Sequence, residues 1–220
     1  MIFARVPDLA GGRGPGVPLS RRDLKGMPLR QALAPLLPLI LTMAACGDPG
    51  GGVVTDMPGG AVAAQVAPGS VLPYGEIATV CDLPAAALGT RIGSAAGFTL
   101  YDSAADSIAL RTHYITGMAD GCARQFSAAL ALVGDLVTHE ALRYQPANAD
   151  LPYSATDLAY EQIKGTFCGV ARGQPCGARI DRLARELAFV TVYETFGTYP
   201  EWNEFLLHDG DLRAISFRSS

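Results

Sequence analysis

Charge is scarce in this chain. Only 17% of its 220 residues are charged, the formal net charge is −4 and the pI is near 5.3. A nucleic-acid partner is therefore excluded, because neutralising phosphates takes a basic patch. Long apolar runs are missing too: the longest, residues 32–45, carries Pro35 and Pro38 and falls short of the roughly 20 residues a membrane helix needs. Five cysteines are too few for a disulfide-dense miniprotein, and no Cys-x-x-Cys accompanies them, so zinc and haem have no ligand set and no cofactor is expected. Histidine occurs three times. His139-Glu140 begins like a zinc-protease helix, but Arg143 stands where the second histidine is needed. There is no Gly-x-Ser-x-Gly elbow, since Gly93-Ser94-Ala95-Ala96-Gly97 places its serine one position early. Phosphate-binding glycine loops are also absent. What the chain does have is apolar content: 49% hydrophobic residues, enough to bury a core, together with 25 Gly and 15 Pro.

That content is unevenly spread. Lys25 and Arg30 precede the run ALAPLLPLILTMAA, which ends in Leu41-Thr42-Met43-Ala44-Ala45-Cys46. A basic flank, a short apolar segment and small residues are the parts of an export signal. The order basic, apolar, small-small-Cys, then a polar Gly/Pro-rich stretch resembles the lipobox of bacterial lipoprotein precursors, with Met43 keeping the apolar character of its position. The resemblance implies that Cys46 is acylated and becomes the first residue of the mature protein. The other readings of the segment are a conventional signal peptide or a buried helix ending in a core cysteine. Burying acyl chains is worth about 0.8 kcal/mol per methylene, so two or more chains hold a protein at the membrane. Membrane lipid, through Cys46, is thus an expected partner.

Residues 1–26 fit neither a domain nor an ordinary signal start. Met27-Pro-Leu-Arg begins a complete signal by itself, whereas Ser20-Arg21-Arg22-Asp23-Leu24-Lys25 resembles a twin-arginine export motif. Residues 46–72 hold 7 Gly and 3 Pro with no sustained period and are expected to form a tether. At about 5.5 Å times the square root of its length, such a tether spans about 28 Å. Gly47 follows Cys46 where an Asp would signal inner-membrane retention in enteric lipoproteins, so the expected location is the periplasmic face of the outer membrane. Residues 1–46 carry 6 Lys/Arg and 2 Asp/Glu, which leaves 11 and 19 beyond them and a mature charge of about −8. Such a charge keeps a tethered domain in solution and names no ligand.

With Cys46 acylated, Cys81, Cys122, Cys168 and Cys176 remain, an even number for an oxidising compartment. Of the three possible pairings, Cys168 with Cys176 around the turn-rich GVARGQP is preferred, leaving Cys81 with Cys122. Strands are expected at 98–103, 107–117 and 124–133, forming an antiparallel meander, and at 189–193. Asp135 is placed to cap a short helix reaching Tyr144. Ser154 to Asp157 opens another helix, with Ala155, Ala159, Ile163 and Phe167 on one face. A third short helix is expected within 177–187. Asp209-Gly210 between alternating stretches signals a hairpin. The expected architecture is α+β: a mostly antiparallel sheet with two or three helices on one face. Its domains are an extension and export signal (1–45), the acylated cysteine and tether (46–72), and a globular domain (73–220).

Candidate chemistry is thin. His208 and Asp209 suit the hairpin turn, His113 a strand, and Glu140 with Arg143 a surface pair. Asp150, Asp157, Glu161 and Glu186 suit caps and surface. Among the aromatic residues near the C-terminus, Tyr199 and Trp202 are the candidate contacts for an envelope protein partner. The function expected is a membrane-anchored envelope lipoprotein with a disulfide-stabilised binding or structural domain. The alternatives are an envelope hydrolase using carboxylate and histidine groups, and an inhibitor or regulator of another envelope protein.

Overall fold

Period-two burial organises the domain. In Phe98–Asp102, residues Phe98, Leu100 and Asp102 are buried while Thr99 and Tyr101 stay half-buried, as a strand with one face on a core requires. The computed structural model describes residues 54–55, 62–63, 65–197 and 201–219. Within them the strands are β1 (Val54–Thr55), β2 (Val62–Ala63), β3 (Ile77–Val80), β4 (Thr90–Ala95), β5 (Phe98–Asp102), β6 (Arg111–Thr116), β7 (Ala123–Ala128), β8 (Leu130–Gly134), β9 (Leu187–Tyr193), β10 (Glu201–His208) and β11 (Asp211–Ser219). The helices are α1 (Leu136–Arg143), α2 (Ala155–Cys168) and α3 (Ile180–Leu183). This is an α+β fold, as expected. Its ladders are antiparallel except where β1 pairs with β11 and β2 with β3.

The strands divide between two sheets. One runs β1-β11-β10-β9-β8 and the other β2-β3-β7-β6-β5-β4. Between them lie Ile77, Phe98, Leu100, Ile115 and Phe126 from one side and Val190, Val192, Phe205, Leu207 and Ile215 from the other. The opposite face of the five-stranded sheet, with Leu187, Phe189, Leu206 and Ala214, packs on Leu136, Tyr160 and Leu183 of the three helices. That sheet is therefore the middle of three layers, which is why β9 is buried on both faces. The stretch 124–133 forms two strands in different sheets. The chain crosses at Ala129, and the small buried pair Ala128-Ala129 lets it pass without interrupting the apolar pattern. Residues 107–110 precede β6, with the Ser107 N–H bonded to Ala104 O, so that strand starts at Arg111.

Hydrogen bonds fasten each end of the sandwich. At one, Asp209 (φ 54°) and Gly210 (φ 73°) form the β10–β11 turn, a pair of left-handed residues that suits a two-residue hairpin. A Cβ on Gly210 would stand 2.8 Å from that of Ala119, whose N–H donates to Gly210 O. At the other end, Arg111 Nη1 donates to Ala109 O and Ala129 O, and the Ala129 N–H donates to Tyr193 O. The 103–110 loop, the crossing at Ala129 and the β9–β10 connection are thus tied together.

Part of the stretch expected to be tether is structured. Val54–Thr55 pairs with the edge of β11, Val62–Ala63 pairs with the edge of β3, and Leu72 is buried. Short β-branched and alanine dipeptides among glycines can satisfy the bare backbone of two sheet edges.

Candidate functional site

Helix α2 presents an unexpected inner face. Its capping box forms as anticipated, with Ser154 and Asp157 exchanging side-chain-to-backbone bonds. Of the expected face, Ala155 is buried and Ala159, Ile163 and Phe167 are half-buried against the core, while Thr156, Asp157, Tyr160, Glu161, Lys164 and Cys168 point inward. This polar face meets α1 and the middle sheet, so Asp157 and Glu161 belong to the interior. Asp150 and Glu186 are exposed, as expected.

The first half of the network centres on Arg218 of β11. Its Nη2 donates to Asp157 Oδ1 at 2.8 Å and to Glu204 Oε2 at 2.7 Å, and its Nη1 donates to Asp157 Oδ2 at 3.1 Å. Thr156 Oγ1 donates to the same Glu204 oxygen at 2.6 Å, and the Thr156 N–H donates to Ser216 Oγ. Arg143 Nε lies 3.5 Å from Asp157 Oδ2, and His139 Nε2 lies 3.8 Å from Asp157 Oδ1. Two carboxylates thus face two guanidinium groups, and the cluster balances with His139 neutral. Burial pushes the Asp157 carboxyl up, but its bonds to Arg218 outweigh this and hold it below the usual carboxylate range. Burial pushes His139 down despite nearby Glu204 and Asp157, and its ring stacks on Phe189 at 4.3 Å.

Ligand atoms of His139, Asp157 and Glu204 lie within 4.8 Å of one another, close enough to hold a metal ion. The Arg218 guanidinium already bridges both carboxylates. It occupies the place and supplies the charge that a cation would.

The second half secures the Cys168–Cys176 loop. Glu140 accepts from Tyr160 Oη at 2.8 Å and from the Cys176 N–H at 3.0 Å. Lys164, fully buried, donates to Glu161 Oε2 and to Gln174 O, each at 2.7 Å, and to Tyr144 Oη. Glu161 also accepts from Tyr144 and from the Gly173 N–H. The expected Glu140–Arg143 surface pair does not form. Both residues are buried, and Arg143 instead donates to Asn148 O and Leu151 O and lies over the Tyr153 ring.

A separate cluster sits between the sheets. Arg111 grips Asp102 through both carboxylate oxygens, and His113 Nε2 stands 3.4 Å from Asp102 Oδ2. Both histidines adjoin carboxylates, as an acid–base pair would. His113 is wholly buried, His139 nearly so, and the carboxylate beside each is already bonded to an arginine. Neither histidine lines the groove of about 620 Å³ along Leu158, Gln162 and Gly165 of α2, and the carboxylate that does, Glu161, is bonded to Lys164 and Tyr144.

The cysteines pair as anticipated, Cys81 with Cys122 and Cys168 with Cys176. His208 adjoins the turn and its Nδ1 donates to Glu186 O. Trp202 is half-buried beside Tyr193. Cys46 and Tyr199 lie outside the described residues. No sequence motif marks the Arg218 network; its one local signal was the Ser154–Asp157 capping box. Among the described residues, no helix is long and apolar enough to cross a membrane. No protein family, curated protein or solved structure matches the chain.

Proposed function

We propose that this protein is an acyl-anchored lipoprotein of the bacterial cell envelope whose domain is a non-enzymatic binding or structural module at the periplasmic face of the outer membrane. The observation that supports this reading is the cysteine arrangement. Four cysteines are consumed in two disulfides, which persist in oxidising compartments, and the fifth, Cys46, stands at the end of the export-like segment. The interior favours a module over a hydrolase. Its carboxylates and arginines are bonded to one another, whereas a hydrolase needs an acid and a base opening onto a cleft.

Intact mass of the membrane-extracted protein, with thiols alkylated before any reduction, tests the anchor and the disulfides together. The expected mass is residues 46–220 plus acyl chains with no alkylated thiol. An unacylated chain retaining residues 1–45, or one with four free thiols, overturns the reading. Amine labelling adds an independent check, because Lys25 and Lys164 are the only lysines. In an N-acylated mature chain the sole amine is buried Lys164, and native protein stays unlabelled. Processing to a diacylated Cys46 with a free α-amine places one label at the N-terminus.

A further inference from the structure

We infer that Arg172, Arg179, Arg182 and Arg185 form a docking face for an acidic segment of another protein, held through its carboxylates. The inference deepens the binding-module reading and is independent of the acyl anchor. Charge is spread unevenly along the chain. Residues 172–185 carry four Arg and a single Asp, whereas the rest of residues 47–220 holds 7 Lys/Arg and 18 Asp/Glu. Most of the other cations are already paired: Arg111, Arg124, Arg143, Lys164 and Arg218 each face a carboxylate. The four arginines of the segment are exposed, and among the described residues none has a carboxylate partner. Asp181 with Arg185 and Arg182 with Glu186 stand four apart, the spacing of a helical ion pair, but α3 ends at Leu183 and neither pair closes. Arg179 Nη1 donates to Phe167 O at 3.5 Å, and the other three side chains make no hydrogen bond among the described residues. Each guanidinium carries a fork of donors matched to a carboxylate, and almost all of that capacity is unused.

The backbone beneath this face is held in place. Arg172 belongs to the loop closed by the Cys168–Cys176 disulfide, with its guanidinium 5.5 Å from the centre of the Tyr153 ring. Around it Gln174 O accepts from Lys164, the Gly173 N–H donates to Glu161 and the Cys176 N–H donates to Glu140. Arg179 and Arg182 lie at the C-terminal end of α2, the first bonded to Phe167 O and the second 5.9 Å from the centre of the Phe167 ring. The buried network thus fixes the loop from which the arginines project, and a preordered face loses less entropy on binding. Two features select the partner. Among the described residues from 162 to 186 no large hydrophobic side chain is exposed, so the face offers nothing to a bilayer interior. A polyanion broader than the face, such as an anionic lipid surface, also meets the acidic excess of the remaining domain. A narrow acidic segment meets the arginines alone and is suited to bidentate guanidinium–carboxylate pairs.

The test uses the purified full chain in neutral detergent, disulfides intact, and a dye-labelled oligoglutamate peptide of about ten residues, about 33 Å when extended. Fluorescence anisotropy follows binding at low salt, with oligoglutamine as the uncharged reference. We expect saturable binding of oligoglutamate alone, weakened by salt and reduced about tenfold in R172Q/R179Q and in R182Q/R185Q, while R91Q leaves it unchanged. Arginine modification by phenylglyoxal, mapped by mass spectrometry, reads the same face on the wild-type chain. Oligoglutamate is expected to shield the four arginines several-fold and to leave Arg91 and Arg213 as reactive as before. No binding, no shielding, equal binding of oligoglutamine, retention in both double variants or equal loss in R91Q overturns the face. Shielding of these arginines by phosphatidylglycerol vesicles but not by oligoglutamate overturns the protein partner in favour of lipid. Acylation is read separately from intact mass, so an unacylated chain that binds the peptide supports the face and overturns the anchor alone.

Discussion

Replacing Arg218 with Met removes the cation that two buried carboxylates share. Asp157 is 1% exposed and Glu204 11%, and each receives an Arg218 bond of 2.7–2.8 Å. At an effective dielectric constant of 20, each such pair has a gross attraction of about 4 kcal/mol, most of it offset by desolvation. The variant loses the attraction but keeps the desolvation, a situation that costs about 3–5 kcal/mol. Arg143, 3.5 Å from Asp157, takes up part of the charge, so the lower end of that range is expected. With a urea slope of about 2 kcal/mol per molar, the midpoint falls by about 1.5 M. The loss depends on pH with a definite sign. In wild type the depressed Asp157 contributes stability that is present above its unfolded value, near 3.9, and is lost as pH falls through the folded one. In the variant the unpaired carboxylates rise above their ordinary range and take up protons on folding. The difference between the two proteins therefore narrows from pH 7 towards pH 5, and restoring charge balance with Glu204→Gln recovers part of it at neutral pH. Urea unfolding followed by far-ultraviolet circular dichroism at both pH values tests this, with disulfides intact. A loss below about 1 kcal/mol, the scale of an exposed ion pair, or a difference that does not narrow on acidification, refutes the account.

Three further outcomes are expected. Paired serine replacements of Cys168 and Cys176 cost about 2.5 kcal/mol and those of Cys81 and Cys122 about 4 kcal/mol, from loop closures of 8 and 41 residues; the reverse order in urea midpoints counts against closure entropy as the cause. Ser154→Ala removes the Asp157 N–H acceptor at the start of α2 and costs about 1 kcal/mol by thermal denaturation, whereas an unchanged midpoint places the cap outside the cooperative unit. Because burial depresses His139, the unfolded chain protonates first, so stability present above about pH 6.5 drains as pH falls towards the folded value. His139→Phe should flatten that decline, leaving the part due to buried His113, and an unaltered slope in pH-dependent urea midpoints would assign it elsewhere.

Local chemistry made some of the fold legible. Ser154 and Asp157 are three apart, so their capping box appears in four letters, and Asp209-Gly210 announces its hairpin by the left-handed conformation it tolerates. The pairing of Cys168 with Cys176 is legible from proximity along the chain, and that of Cys81 with Cys122 follows by remainder. The second sheet was hidden for a physical reason. An alternating run such as 124–133 looks the same whether it stays in one ladder or crosses between two, and the change at Ala129 costs no polar residue. The inner face of α2 was hidden by the opposite effect. Asp157, Glu161 and Lys164 match a solvated helix face in any pattern argument, yet their partners Arg218, Tyr144 and Gln174 O arrive from segments up to 61 positions away.

The same distances limit what the interior can offer a ligand. Asp157 is bonded to its own helix start and to Arg218, Glu204 to Arg218 and Thr156, and Glu140 to Tyr160 and the Cys176 N–H. Lys164 donates to three oxygens, the full capacity of an ammonium group. A ligand drawn to any of these groups must first break a charge-assisted bond in a low-dielectric setting, which makes binding there costly. Recognition by this domain is therefore expected at its surface. The network's contribution is to fasten β11, α1, α2 and the Cys168–Cys176 loop to one another. Strand β11 receives Val54 and Thr55 on its outer edge, and Ser216, one residue beyond the Thr55–Ile215 pair, is bonded into the Arg218 cluster through Thr156.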